Sequence, residues 1–201
     1  MAAVLQDLQK TIIAGFVLLI LIIVLMGVFI SFPSFGHGWF AFLFRWLHVL
    51  SGVMWIGLLW YFNFVQIPNM PKIPDEQKPA IGKVIAPAAL WWFRWGAMGT
   101  IVTGLILAAM NGYLVEAILL GLTDGGVSTP IGIGMWLGTI MWFNVWFVIW
   151  PNQKRALGIV EADADTKAKS ARTAMLFSRT NTLLSIPMLY CMVAMQNGGF
   201  S

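Results

Sequence analysis

The sequence predicts an all-α, polytopic membrane protein with five transmembrane helices. Of its 201 residues, 59% are hydrophobic and only 10% are charged. Soluble domains carry about 25% charged residues. Mean hydropathy is +0.81. The apolar residues gather into five stretches, 11–31, 39–67, 87–111, 132–150 and 174–196, each close to the roughly 20 residues that cross a bilayer as a helix. A single cysteine, Cys191, excludes a disulfide frame, a CxxCH haem attachment and an iron–sulfur ligand set. The net charge of +4 sits in loops beside the spans, so it points to membrane topology and not to nucleic acid.

The first stretch, Thr11 to Ser31, exceeds the roughly 7–15 apolar residues of a signal peptide. It runs into Ser31-Phe32-Pro33, with no small-residue cleavage site. It reads as a retained anchor helix, with residues 1–38 forming the anchor and an outer loop that holds His37. The second stretch is rich in Trp and Phe, and Pro68, Pro71, Pro74 and Pro79 are expected to end it. Between the third and fourth stretches, Leu114 to Leu120 is too short to span and reads as an interfacial or re-entrant turn. The alanine-rich, mixed-charge run Glu161 to Lys169 predicts that the fifth helix begins early and projects from the membrane.

Charge sets an orientation. Lys10, then Lys72, Lys78 and Lys83, then Lys154, Arg155, Lys167, Lys169 and Arg172 fall on one side, and the alternate connections 32–38 and 112–131 hold no Lys or Arg. The positive-inside rule then places the N-terminus in the cytoplasm and the C-terminus in the periplasm of a bacterial inner membrane.

Met54-Trp55-Ile56-Gly57, Phe62-Asn63 and Pro68-Asn69 return 81 to 83 residues later as Met135-Trp136-Leu137-Gly138, Phe143-Asn144 and Pro151-Asn152. Phe93-Arg94 and Ser178-Arg179 stand at a similar offset. This predicts two parallel-repeat hairpins, 39–113 and 132–200, in a four-helix bundle beside the anchor.

At 100° per residue, Arg45, Ser51, Gly52, Trp55, Asn63 and Gln66 share one stripe of the second helix with His48. Polar groups in a bilayer face a bundle interior or a cavity. His48 lies about 14 Å along the helix from its outer end, at about 1.5 Å per residue. Three readings of it stay open: an axial ligand of haem b, with Arg45 for a propionate and Gly52 admitting a flat macrocycle; a contact to a quinone or other ligand; or a buried histidine held by a neighbouring helix. Arg94, Arg179, Asn63 and Asn144 are expected at one level near the cytoplasmic end. There they form either a polar cluster for a carboxylate or lipid phosphate, or snorkelling arginines with interhelical amides. No carboxylate pair, nucleophile–base set or phosphate loop is present.

The run Leu47-His48-Val49-Leu50-Ser51-Gly52-Val53-Met54-Trp55-Ile56-Gly57 resembles the first signature of the urate oxidase N-terminal membrane domain family. Gly138 to Lys154 and Ser178 to Met188 resemble two later ones. That resemblance implies the membrane part of a cytochrome-c-linked urate oxidase. It also implies a longer membrane domain, a cytochrome c domain, and a histidine beyond Met192, where this chain reads Val193-Ala194-Met195-Gln196-Asn197. A bis-histidine haem within the chain is therefore not expected, and urate oxidation would need a partner as electron acceptor. The first functional expectation is an integral subunit of a redox or electron-transfer system, binding haem b through His48 and working with other membrane subunits or a cytochrome c. The second is a non-catalytic structural subunit of a respiratory or photosynthetic complex; the third is a urate-oxidising membrane enzyme. A non-catalytic subunit is preferred to a stand-alone oxidoreductase.

Overall fold

The computed structural model describes residues 2–199, and every regular element in them is helical. The chain divides into two units, one ending at Phe40 and one beginning at Ala41.

The first unit is dominated by α1, Leu8–Phe29. Asp7 caps its start by accepting the N–H groups of Gln9 and Lys10, satisfying donors that the first helical turn leaves open. From Thr11 to Gly36 no residue is charged, so the helix is apolar on every side, as a membrane span requires. His37, expected in the loop, is instead the first residue of the next helix, two positions before the expected start at residue 39.

The second unit contains α2 (His37–Lys72, entering from the first unit), α3 (Lys78–Met110), α4 (Leu114–Ile118), α5 (Thr129–Ala156) and α6 (Ala164–Ala194). α1, α2, α3 and α5 are long and apolar enough to cross a membrane. The fifth predicted span falls within α6, a 31-residue helix that is not among those four because Ser, Thr, Asn and Arg interrupt its apolar residues. Its early start is seen: Asp163 caps it by accepting from the Thr166 N–H at 2.8 Å.

The expectation that Pro68 ends the second helix is corrected. α2 continues through Pro68 to Lys72, and α3 runs through Pro79 and Pro87. The reason is a local widening of the helix. Tyr61–Gln66, Ile81–Ile85 and Asn144–Ile149 are π-helical, and each ends two residues before a proline, Pro68, Pro87 or Pro151. Proline lacks an N–H and its ring collides with the carbonyl four residues back. The wider turn shifts the pairing to five residues: Ile67 N–H reaches Phe62 O, Ala86 N–H reaches Ile81 O and Trp150 N–H reaches Val145 O. After two of these prolines an asparagine amide satisfies a nearby carbonyl. Asn69 Nδ2 donates to Val65 O at 2.7 Å and Asn152 Nδ2 to Val148 O at 2.8 Å.

α2, α3, α5 and α6 close a ring of contacts. α2 meets α3 where Phe62 packs edge-on against Phe93 and where Gly96, Gly99 and Gly104 admit Trp55, Ser51 and His48. α3 meets α5 through Trp95 and Trp146, with ring centroids 5.5 Å apart. α5 meets α6 through Asn144 and Asn181, and α6 returns to α2 through Ser178 and Asn63. Trp55, Leu59, Phe62, Leu90, Phe93, Ala97, Met141, Val145, Ile149, Ala174 and Met188 fill the centre. In hydrocarbon, small-residue packing and interhelical hydrogen bonds hold helices together, since lipid is as apolar as the core.

The connection from α3 to α5 contains α4 and a glycine-rich turn. Gly121, Gly125 and Gly126 take positive φ there, and Leu120 does so at 55°. The left-handed region suits glycine and is unusual for leucine.

Candidate functional site: the His48 notch and a buried polar ladder

Glycines on α3 create the site around His48. A Cβ on Gly104 would come within 2.8 Å of His48 Cε1, and one on Gly99 within 2.9 Å of Ser51 Oγ. The absence of side chains there lets the imidazole pack against α3. Its Nδ1 stands 2.9 Å from Thr100 O and 3.4 Å from Thr103 Oγ1. A carbonyl only accepts, so Nδ1 carries the proton and donates. The Thr100 and Thr103 hydroxyls bond back to Gly96 O and Gly99 O at 2.8 and 2.6 Å. The ring is thereby fixed as the tautomer whose Nε2 offers a lone pair. Metal-binding histidines are commonly oriented in this way, the second nitrogen donating to a backbone carbonyl.

The other residues of the predicted stripe separate. Ser51 and Gly52 are half-buried, and a Cβ on Gly52 would meet nothing within 4 Å. Trp55 is 1% exposed, and its indole N–H has no partner. Arg45 is exposed. The residues around His48 therefore combine an oriented imidazole with open space at Gly52. They supply one imidazole: among the described residues no group of three or more His, Cys, Asp and Glu stands together.

The four residues expected to cluster at one end do not join by hydrogen bonds. Asn63 Nδ2 donates to Leu59 O at 2.9 Å and to Ser178 Oγ at 2.8 Å. Asn144 Nδ2 donates to Asn181 Oδ1 at 2.8 Å, and Asn181 Nδ2 donates to Met141 O at 2.9 Å. Arg94 is buried and stacks on Trp150, its Cζ 3.3 Å from the ring centroid. Arg179 is exposed, so its pairing with Arg94 is corrected. On α6 it is Ser178 that turns inward.

Sequence reasoning missed the ladder on α6. Ser170, Ala174, Ser178, Asn181, Ser185, Met188 and Cys191 are all buried, in steps of three and four that form one helix face. Trp60 Nε1 donates to Ser185 Oγ at 3.0 Å, and that hydroxyl donates to Thr182 O at 2.7 Å. The signal was the three-four spacing of small polar residues, which mean hydropathy hides.

Comparison with curated proteins and with solved structures found no match. Residues 125–198 match the model of the family described as urate oxidase N-terminal. That segment holds α5, α6 and the Asn144–Asn181 pair.

Proposed function

We propose that this urate-oxidase-related membrane domain is a subunit of a redox or electron-transfer system in the bacterial inner membrane, with His48 as the ligand position for haem b. The observation that carries the reading is the Nδ1–H bond from His48 to Thr100 O at 2.9 Å, which leaves Nε2 as the ring's acceptor. Haem b, when bound, supplies a one-electron iron couple. His48 would hold it, Gly52 would leave room for its plane, and exposed Arg45, one turn away, has the charge to meet a propionate. With one imidazole in the notch, the electron partner is another membrane subunit or a cytochrome c.

The same reading takes α6 as a fifth span. Its polar face is satisfied inside the bundle by Asn63, Trp60 and Asn144, which removes the main cost of placing it in lipid. An odd number of spans keeps the lysine- and arginine-rich segments on the cytoplasmic side, with the C-terminus in the periplasm. The shared π-turn, proline and asparagine at 61–69 and 144–152 support a duplicated hairpin.

The test is an optical spectrum of protein purified from its native membrane. A Soret band that His48→Ala removes, with the helix content retained, supports the proposal. A colourless, folded preparation refutes it. A second reading, a non-catalytic structural subunit of a respiratory or photosynthetic complex, is favoured by the exposed Trp91, Trp92, Trp95, Trp136, Phe143 and Phe147. It predicts a colourless chain that co-purifies with a large assembly in mild detergent. Urate turnover by the chain alone would favour a urate-oxidising enzyme over both.

A further inference from the structure

Arg94 is 9% exposed, and its Nε and Nη1 are sealed from solvent with no hydrogen-bond partner. Its charge is met by aromatic faces: Trp150 at 3.3 Å and Trp146 at 5.9 Å from Cζ. Lys154 Nζ stands 5.7 Å from the same Trp150 ring. Two cations therefore stand near one indole, and among the described residues no carboxylate pairs with either. α2, α3 and α5 contain no Asp or Glu. The ion pairs among the described residues join Lys10 to Asp7 and Lys78 to Asp75. Charges within membrane helices are normally paired.

The unpaired groups around this corner of α5 are of one kind. Trp142 Nε1 and Trp146 Nε1 are also buried donors without acceptors. Two acceptors in the core are unpaired as well, Asn63 Oδ1 and Gln66 Oε1, and neither accepts a hydrogen bond from Arg94. The protein does not meet its own need here. Of the guanidinium nitrogens, Nη2 alone is not sealed in this way, and the planar group is already fixed by stacking. A group offering only acceptors and negative charge satisfies this corner.

We propose that Arg94, seated on Trp150 and assisted by Lys154, binds a phosphate oxyanion, that of an anionic phospholipid headgroup in the leaflet at the Pro151 end of the bundle. Lys154 lies one turn beyond Trp150 toward that end, where a headgroup sits, and a cationic pocket between helices is the arrangement that recognises one. The site is independent of His48.

The test uses the whole chain, delipidated in dodecyl maltoside and titrated with dioleoylphosphatidylglycerol, dioleoylphosphatidylcholine or inorganic phosphate. Melting temperature and native mass spectrometry are the readouts. Wild type should retain about one phosphatidylglycerol per chain and melt higher with it. R94Q should bind at least about tenfold more weakly, the loss of a charge-assisted hydrogen bond. K154Q should bind roughly threefold more weakly, and R179Q, at an exposed arginine, should bind as wild type. Stabilisation by inorganic phosphate that R94Q abolishes would support the same site with free phosphate as its source. Equal phosphatidylglycerol binding by wild type and R94Q, or no response to either phosphate, overturns the proposal. If R94Q does not fold, R94K and K154Q decide: R94K keeps the charge but loses the fork. Wild-type affinity in both overturns the site.

Discussion

Asn181 is 0% exposed and joins two helices through two hydrogen bonds, accepting from Asn144 Nδ2 at 2.8 Å and donating to Met141 O at 2.9 Å. Asn181→Ala removes both. Interhelical hydrogen bonds in membrane proteins average about 0.6 kcal/mol and reach about 1.7. Two such bonds, plus a small cavity between α5 and α6, give an expected loss of about 1.5–3 kcal/mol. Asn144→Ala removes only the shared bond and should cost about 0.6–1.7 kcal/mol. The informative measurement is the double-mutant cycle. Once Asn181 is absent, the Asn144 amide has lost its acceptor, so Asn144→Ala should then cost close to nothing. Reversible unfolding in mixed micelles, followed by circular dichroism, gives the four stabilities. Thr180→Ala, at an exposed neighbouring position, should stay within about 0.5 kcal/mol of wild type. If the Asn181 and Asn144 losses simply add within about 0.3 kcal/mol, the two side chains do not interact and the ladder is wrong.

Other substitutions read other contacts. Gly104→Ala places a Cβ 2.8 Å from His48 Cε1, so the ring must leave Thr100 O; the His48 Nδ1–H resonance in nitrogen-15 spectra should shift or broaden, and an unchanged resonance refutes the notch. Gly132→Ala drives a Cβ into Ala117 O and to 3.3 Å from Leu120 Cα. These are backbone atoms, so the loss should be about 1–3 kcal/mol, whereas Gly57→Ala, with nothing within 4 Å, should be neutral or gain up to about 1 kcal/mol from helix propensity. Thermal melts of the two side by side test the pair. The Thr166 N–H and hydroxyl hold the Asp163 carboxyl below its ordinary range. A lowered folded-state value means that the cap's stability is present above the unfolded carboxylate range and is lost as pH falls through the folded value. Amide exchange at Thr166 should therefore rise, relative to the middle of α6, as pH falls below about 4, and Asp163→Ala should abolish that extra pH dependence.

What could be read in advance was whatever depended on apolar run length. α1, α2, α3 and α5 each contain a long apolar stretch with few charges, and a bilayer's thickness calls for helices there. The early start of α6 was legible too, from the alanine-rich, mixed-charge run Glu161 to Lys169, though the Asp163 cap that fixes it was not singled out. The prolines misled because sequence rules treat an interior proline as a stop. Whether Pro68 ends a helix depends on a five-residue pairing in the turn before it, which no propensity records. His48 pointed inward as the stripe argument required, since imidazole in hydrocarbon must find a partner. Its partner, Thr100 O, was not legible, because a backbone carbonyl leaves no mark in a sequence. Arg179 failed for a related reason: adjacent positions on a helix face about 100° apart, and alignment by eye cannot distinguish Ser178 inward from Arg179 inward.

Glycine is used differently at the α2–α3 contact and on α5, and this bears on where the histidine sits. Between α2 and α3, the glycines that meet the neighbouring helix stand on α3: Gly96, Gly99 and Gly104 receive the bulkier residues of α2, whereas Gly38, Gly52 and Gly57 of α2 meet nothing within 4 Å. In α5 and α6 the glycines stand on the first helix instead. Gly134 lies against Cys191 and Met192, and Gly132 against the α4 backbone. An imidazole is seated only where the opposite helix has lost its side chains and exposes a carbonyl with a spare lone pair. α3 meets both conditions at Gly104 and Thr100. α6 carries no glycine, and Cys191 and Met192 fill the space that Gly134 leaves. A histidine placed at Gly134 would strike Cys191 Cβ, 3.2 Å from the Cβ position. The pairing of notch and ring is a property of the α2–α3 packing, so moving the histidine alone to Gly134 should destabilise the bundle without recreating the site.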